Sequence, residues 1–71
     1  MLVIIENGFT ENGKKQMRVL GKETGKLVGL ITEKSDHEWR VEMMMTYDVT
    51  QSNRDRALGF AWGIAAATPD P

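Results

Sequence analysis

Apolar and polar residues alternate over residues 38–48, EWRVEMMMTYD, with Met44 as the one apolar residue at a polar position. A period of two places one set of side chains against a core and the other toward solvent. We therefore predict a single strand over residues 38–48. The side chains predicted to face the core are Trp39, Val41, Met43, Met45 and Tyr47.

Three shorter segments upstream are rich in β-branched and apolar residues and predict strands over residues 2–6, 15–21 and 26–34. The links KETGK and KSDHE have the composition of tight turns, the first with a glycine suited to a left-handed backbone. The first link, NGFTENG, contains Asn7-Gly8 and Asn12-Gly13, and either dipeptide can form the turn. These segments predict an antiparallel meander of four strands.

After Asp48 the apolar spacing changes, and we predict a helix over residues 52–67 that Pro69 ends. Thr50 or Ser52 is the predicted cap, and Ser52 with Asp55 approximates a capping box. The residues after position 67 are predicted to be frayed through position 71.

One stripe of this helix is predicted to cover the sheet, and the glycines are expected to let its backbone approach the strands closely. The stripe consists of Leu58, Trp62 and Ala65, with Ala57, Phe60, Ala61 and Ile64 beside it, and the glycines are Gly59 and Gly63.

The predicted fold is a single α+β domain of 71 residues: a four-stranded, mostly antiparallel β-meander with one C-terminal α-helix packed on one face. A chain of this size buries about 60% of its unfolded surface, so its core is marginal. It contains no cysteine and therefore no disulfide, which favours self-association as a source of stability. The start MLVIIENG lacks the features of a secretory signal, and we predict a cytoplasmic location.

The segment GFTENGKK resembles the phosphate-binding pattern G-x-x-x-x-G-K-[ST], but Lys15 stands where the magnesium-binding hydroxyl belongs. A phosphate loop must also open a helix, whereas a strand is predicted here. We interpret this segment as a hairpin turn.

No catalytic set is evident in the sequence. His37 is the one histidine and lies in a polar turn, and neither a metal site nor a nucleophile with its base is apparent. We predict no enzymatic activity, no cofactor, no metal and no small-molecule substrate.

The predicted helix carries no charged residue over ALGFAWGIAAA, residues 57–67. This run is too short to span a membrane, which takes about 20 apolar residues, so no membrane partner is expected. It is also apolar around more of its circumference than one sheet covers. We therefore predict that the chain binds another protein or forms a homodimer. The predicted contact residues are Phe60, Trp62, Ile64 and the solvent-facing Met44.

The alternative hypothesis is a nucleic-acid-binding accessory protein. Overall charge is balanced, with nine Lys and Arg against ten Asp and Glu, but basic residues predominate over positions 13–34. A basic hairpin can follow a phosphate backbone, although only Phe9 offers an aromatic ring nearby. The candidate contacts are Lys14, Lys15, Arg18, Lys22, Lys26 and Arg40, with Lys34 beside them.

In size and organisation, a short meander followed by one helix resembles the accessory and inhibitor proteins that phages and mobile elements encode. Some of those proteins act against host defences. The resemblance implies a non-enzymatic protein that acts by binding a host protein.

Overall fold

The computed structural model describes residues 1–69 and shows one antiparallel sheet with a C-terminal helix. The predicted α+β class is confirmed, but the sheet has five strands and not four. They lie in the order β1-β2-β3-β4-β5, each paired with its neighbour in the sequence. The elements are β1 (Val3–Phe9), β2 (Lys15–Gly21), β3 (Leu27–Ser35), β4 (Glu38–Met43), β5 (Tyr47–Gln51) and α1 (Arg54–Ala67).

The additional strand arises because the alternating segment 38–48 folds back on itself. The Thr46 amide donates a hydrogen bond to the Met43 carbonyl at 3.1 Å, and Met43 pairs with Tyr47. Trp39, Val41 and Met43 are buried as predicted. The prediction for Met45 is wrong: its side chain is fully exposed, at 107% of its reference area, because it lies in the turn. Tyr47 returns to the core side but stays 44% exposed at the edge of the sheet.

Of the two Asn-Gly dipeptides in the first link, the later one forms the turn of the first hairpin. Gly13 has a φ of 80°, and the Thr10 amide donates to the Lys14 carbonyl at 2.8 Å. Asn7-Gly8 lies inside β1, which therefore extends to Phe9 and not only to position 6. The segment GFTENGKK is a strand end, a turn and a strand start, as predicted. Gly25, with a φ of 70°, closes the next hairpin, also as predicted.

Asn53 is the residue that begins the helix. Its side-chain oxygen accepts a hydrogen bond from the Arg56 amide at 2.9 Å, which satisfies one of the free donors of the first turn. The predicted caps, Thr50 and Ser52, are therefore wrong: Thr50 is still in β5, and Ser52 lies one residue before the cap.

The helix lies over β4, with β3 and β5 beneath its sides, and buries a stripe of alanines. These are Ala57, Ala61 and Ala65, at a spacing of four residues. The predicted stripe was right for Ala65 only, since Leu58 is half-buried on the flank and Trp62 is half exposed. Small side chains hold the centre because the sheet below is already filled by large ones. The fully buried large side chains are Val19, Ile31, Val41 and Met43.

Gly59 and Gly63 lie on the outer side of α1, where an added Cβ would meet no atom within 4 Å. The prediction that they allow close approach to the strands is wrong, because the alanine stripe faces the sheet instead.

The last turn of the helix meets the start of the chain. The Thr68 hydroxyl donates to the Ile64 carbonyl at 2.7 Å. The Met1 ammonium donates to the carbonyls of Ala65 and Thr68 at 2.9 and 2.6 Å, where the helix dipole is negative. Of the tail predicted to fray, residues 70–71 lie outside the described part of the chain.

Candidate functional site

The helix residues predicted to contact a partner lie on different sides of α1. Trp62 is half exposed (50%) on the flank beside the N-terminus. Phe60 lies on the flank facing β5, where its ring meets Tyr47 edge-on with 6.3 Å between centroids. Ile64 and Met44 are half-buried and pack against the core. The four predicted residues therefore do not form one surface, and Trp62 is the most exposed of them.

Large apolar side chains are instead exposed together at one end of the sheet. The N-terminus, the β2–β3 turn, the β4–β5 turn and the last turn of α1 all meet there. Leu2 and Trp62 line one shallow depression, Leu2 and Leu27 the next, and Leu27 and Met45 a third. Neighbouring depressions share one of these residues, Leu2 or Leu27. We call Leu2, Leu27, Met45 and Trp62 the apolar end surface.

The backbone that presents Met45 is strained. Met44 and Met45 have φ values of 56° and 57°, the left-handed conformation at both central positions of a type I′ turn, which usually carries Asn-Gly. A left-handed non-glycine residue costs roughly 1–3 kcal/mol. A hydrogen bond from the Met44 amide to the Val28 carbonyl at 2.8 Å ties this turn to β3.

The basic residues of the alternative hypothesis fall into separate groups. Lys14 and Lys15 lie at the β1–β2 turn, whereas Lys22 and Lys26 lie at the other end of β2, next to the apolar end surface. The length of a strand separates the two pairs, so they do not form one phosphate-binding patch.

Two arginines on the sheet face opposite the helix are held by carboxylates. Arg18 Nη1 lies 2.9 Å from Glu6 Oε1. Arg40 binds both oxygens of Asp48, at 2.9 and 2.6 Å, and lies 3.8 Å from Glu42. The hydrogen bond to Asp48 raises the pKa of Arg40 above its ordinary value and lowers the pKa of Asp48. The charges of these two arginines are therefore neutralised locally.

A cleft lies on the helix side of the sheet at the end opposite the apolar end surface. Phe9, Lys15 and Trp39 line it from the strands, and Arg54 lines it from the start of the helix. Phe9 is 72% exposed, and no acidic residue is among those that line the cleft. We call it the Phe9 cleft.

The described residues contain neither a group of metal-binding side chains nor a membrane-spanning helix. Within residues 1–69, no three His, Asp or Glu side chains are grouped closely enough to hold a metal ion. His37 is exposed in the β3–β4 turn, where its amide donates to the Ser35 hydroxyl at 3.4 Å. No helix in the same residues has the length and apolar character needed to cross a bilayer.

Sequence reasoning missed most of the apolar end surface. Leu2 and Leu27 lie within the predicted strands 2–6 and 26–34, and Met45 was assigned to the core because the alternation passes through it. The adjacent methionines at positions 43–45 were a visible signal, since an alternating strand should carry a polar residue between them.

Comparison of the chain with protein-family models, with curated protein sequences and with solved structures gives no match.

Proposed function

We propose that this chain is a small binding module that holds another protein against its apolar end surface. The observation that carries the proposal is Met45, a methionine held fully exposed on a left-handed backbone. In the isolated chain this side chain buries no surface while its backbone costs free energy. On this proposal, a partner contacts the exposed Met45 side chain, and this contact is the function of its strained backbone.

The surrounding residues suit a protein contact. Trp62 and Leu2, exposed by 50% and 65%, are large apolar groups that a partner can desolvate. Tryptophan is among the residues that most often dominate binding energy at interfaces. Methionine is unbranched and polarizable, so it adapts to a partner's contour. These properties favour binding over chemistry as the way the protein acts.

The chain's resemblance to phage and mobile-element inhibitors agrees with this proposal at the level of size and organisation. An inhibitor of that kind needs one surface that occupies a site on a host protein. On this proposal, the apolar end surface supplies it.

The test compares the wild-type chain with a Met45→Glu/Trp62→Glu variant. Both positions are at least half exposed, so we expect the variant to fold, as circular dichroism and thermal melting will check. Phe9→Glu is the matched control, because Phe9 is equally apolar and exposed but lies at the opposite end of the sheet.

Immobilised proteins are incubated with cell extract, retained proteins are identified by mass spectrometry, and each is purified and titrated. We expect a protein that binds the wild type and the Phe9→Glu control equally and binds the double variant at least about tenfold more weakly, equivalent to about 1.4 kcal/mol. Sedimentation velocity tests a second copy of this chain as the partner. A dimer that the double variant abolishes also supports the proposal. A monomeric wild type without any partner sensitive to the double variant contradicts it.

A further inference from the structure

The Phe9 cleft combines an exposed aromatic ring with two cations from different elements. Phe9 and Lys15 are directly paired across β1 and β2, so their side chains leave the same face of the sheet. Arg54 reaches the same cleft from the first residue of α1. Phe9 and Lys15 belong to one hairpin, whereas Arg54 is distant in the sequence and joins them only in the fold.

Neither cation forms an ion pair with another residue in positions 1–69. In the described part of the chain, no carboxylate lies within 4 Å of Lys15 or Arg54. Glu33 pairs with Trp39 on the same face but does not line the cleft. The contrast with Arg18 and Arg40, both bound by carboxylates on the other face, leaves this pair available for an anion.

The cleft is large enough for a small ligand. Its volume is about 410 Å³, within the range of roughly 300–1,000 Å³ that ligand sites occupy. Asn7 adds an amide, which can both donate and accept hydrogen bonds, to its wall.

We propose that the Phe9 cleft binds a nucleotide, with the base stacked on Phe9 and the phosphate between Lys15 and Arg54. A cation pair alone would suit any anion, but a ring beside it is the arrangement that single-strand binders use for bases. The unit bound is either a free nucleotide or one residue of a single strand, because the chemistry of both is the same. This site is independent of the apolar end surface.

The experiment measures fluorescence anisotropy of a labelled oligothymidylate of about twelve nucleotides, a length that spans known single-strand sites. Titrations run at about 50 and 200 mM salt, because phosphate contacts weaken as salt rises. Adenosine monophosphate and inorganic phosphate are titrated separately, with the Trp39 indole N–H resonance as a local readout. A shift of the Trp39 resonance caused by the oligonucleotide or by the mononucleotide supports the site. The ligand that causes it shows whether the cleft takes a single strand or a free nucleotide.

Phe9→Ala should weaken binding at least about fivefold, the lower end of what loss of one stacked base costs. Lys15→Gln/Arg54→Gln should weaken it further. It should also make the slope of log affinity against log salt shallower by about 0.7, the value for one phosphate contact with a single strand. The control is Lys22→Gln/Lys26→Gln, which removes the same charge at the other end of β2. Its affinity for the oligonucleotide should stay within about twofold of the wild-type value, because the removed charges lie outside the site. The Met45→Glu/Trp62→Glu variant should still bind the nucleotide.

Several results would overturn the proposal. The first is that neither the oligonucleotide nor the mononucleotide binds at low salt. The second is that Phe9→Ala binds as well as the wild type, and the third is that the two lysine-containing double variants lose the same amount of affinity. Equal affinity for inorganic phosphate and for the mononucleotide would also overturn it, because the base would then contribute nothing.

Discussion

The residue at position 45 is not the one that would make the fold most stable, and we propose that it serves binding instead. Met45 has a left-handed backbone and an exposed side chain. Glycine adopts this conformation at no steric cost, so the natural residue is not the one that the turn by itself prefers.

We therefore expect Met45→Gly to raise the free energy of unfolding by about 1 kcal/mol, because relief of strain outweighs the entropy that glycine adds to the unfolded chain. Urea denaturation measures this as a higher midpoint at an unchanged slope. Met45→Ala is the control: it removes the side chain, keeps the strain and should change stability by less than about 0.5 kcal/mol. Both variants should lose partner affinity. A destabilised glycine variant would show that the turn is not left-handed at Met45 in solution.

On α1, the exposed side should tolerate added side-chain volume and the buried side should not. Gly59 and Gly63 face open space, while Ala61 is completely buried against the sheet. Glycine in a helix interior is less favourable than alanine by up to about 1 kcal/mol.

Gly59→Ala should accordingly stabilise the protein by about 0.5–1 kcal/mol, since the new methyl group meets no neighbour. Ala61→Leu adds volume on the opposite side of the same helix and should destabilise it by about 1–3 kcal/mol through overpacking. Thermal melts of the two variants measure both effects. If Gly59→Ala destabilised the fold instead, the helix would have to lie with its glycines toward the sheet.

For the whole molecule, ion pairs on the face opposite the helix link stability to pH. Asp48 has its pKa lowered from the ordinary value of 3.8, chiefly by its hydrogen bond from Arg40. A carboxyl group with a depressed pKa in the folded state contributes stability that is complete above the unfolded pKa and is lost as pH falls through the folded one.

We expect the free energy of unfolding to decrease as pH falls below about 4, and to decrease less in Asp48→Asn. Asp36→Asn, which removes a turn carboxylate that has no cation within 4 Å in residues 1–69, should keep the wild-type acid dependence. Urea titrations across the acid range compare the three proteins. Because the pair is exposed, the effect should shrink in high salt. Identical acid limbs for Asp48→Asn and the wild type would contradict the role assigned to this pair.

Local chemistry was sufficient for much of the fold. The period of two identified Trp39, Val41 and Met43 as core residues because alternation along a strand is a property of the backbone itself. Gly25 marked its turn because few other residues adopt a left-handed backbone without strain. The existence and end of the helix followed from the same kind of local signal.

The turn at residues 44–46 could not be predicted in this way, because it contains no residue that favours it. Its backbone is held by the pairing of β4 with β5 and by the Val28 carbonyl on β3. The face that α1 buries was likewise decided by the sheet below, whose large side chains leave room for alanines at the centre.

The sequence by itself thus determined the class of the fold, the central strands and the presence of a helix, since these depend on neighbours along the chain. Tertiary structure alone decided the two candidate sites. The apolar end surface joins Leu2 to Trp62, and the Phe9 cleft joins Lys15 to Arg54. Residues so distant in sequence become neighbours only when the meander brings alternate turns to the same end and the helix returns along the sheet.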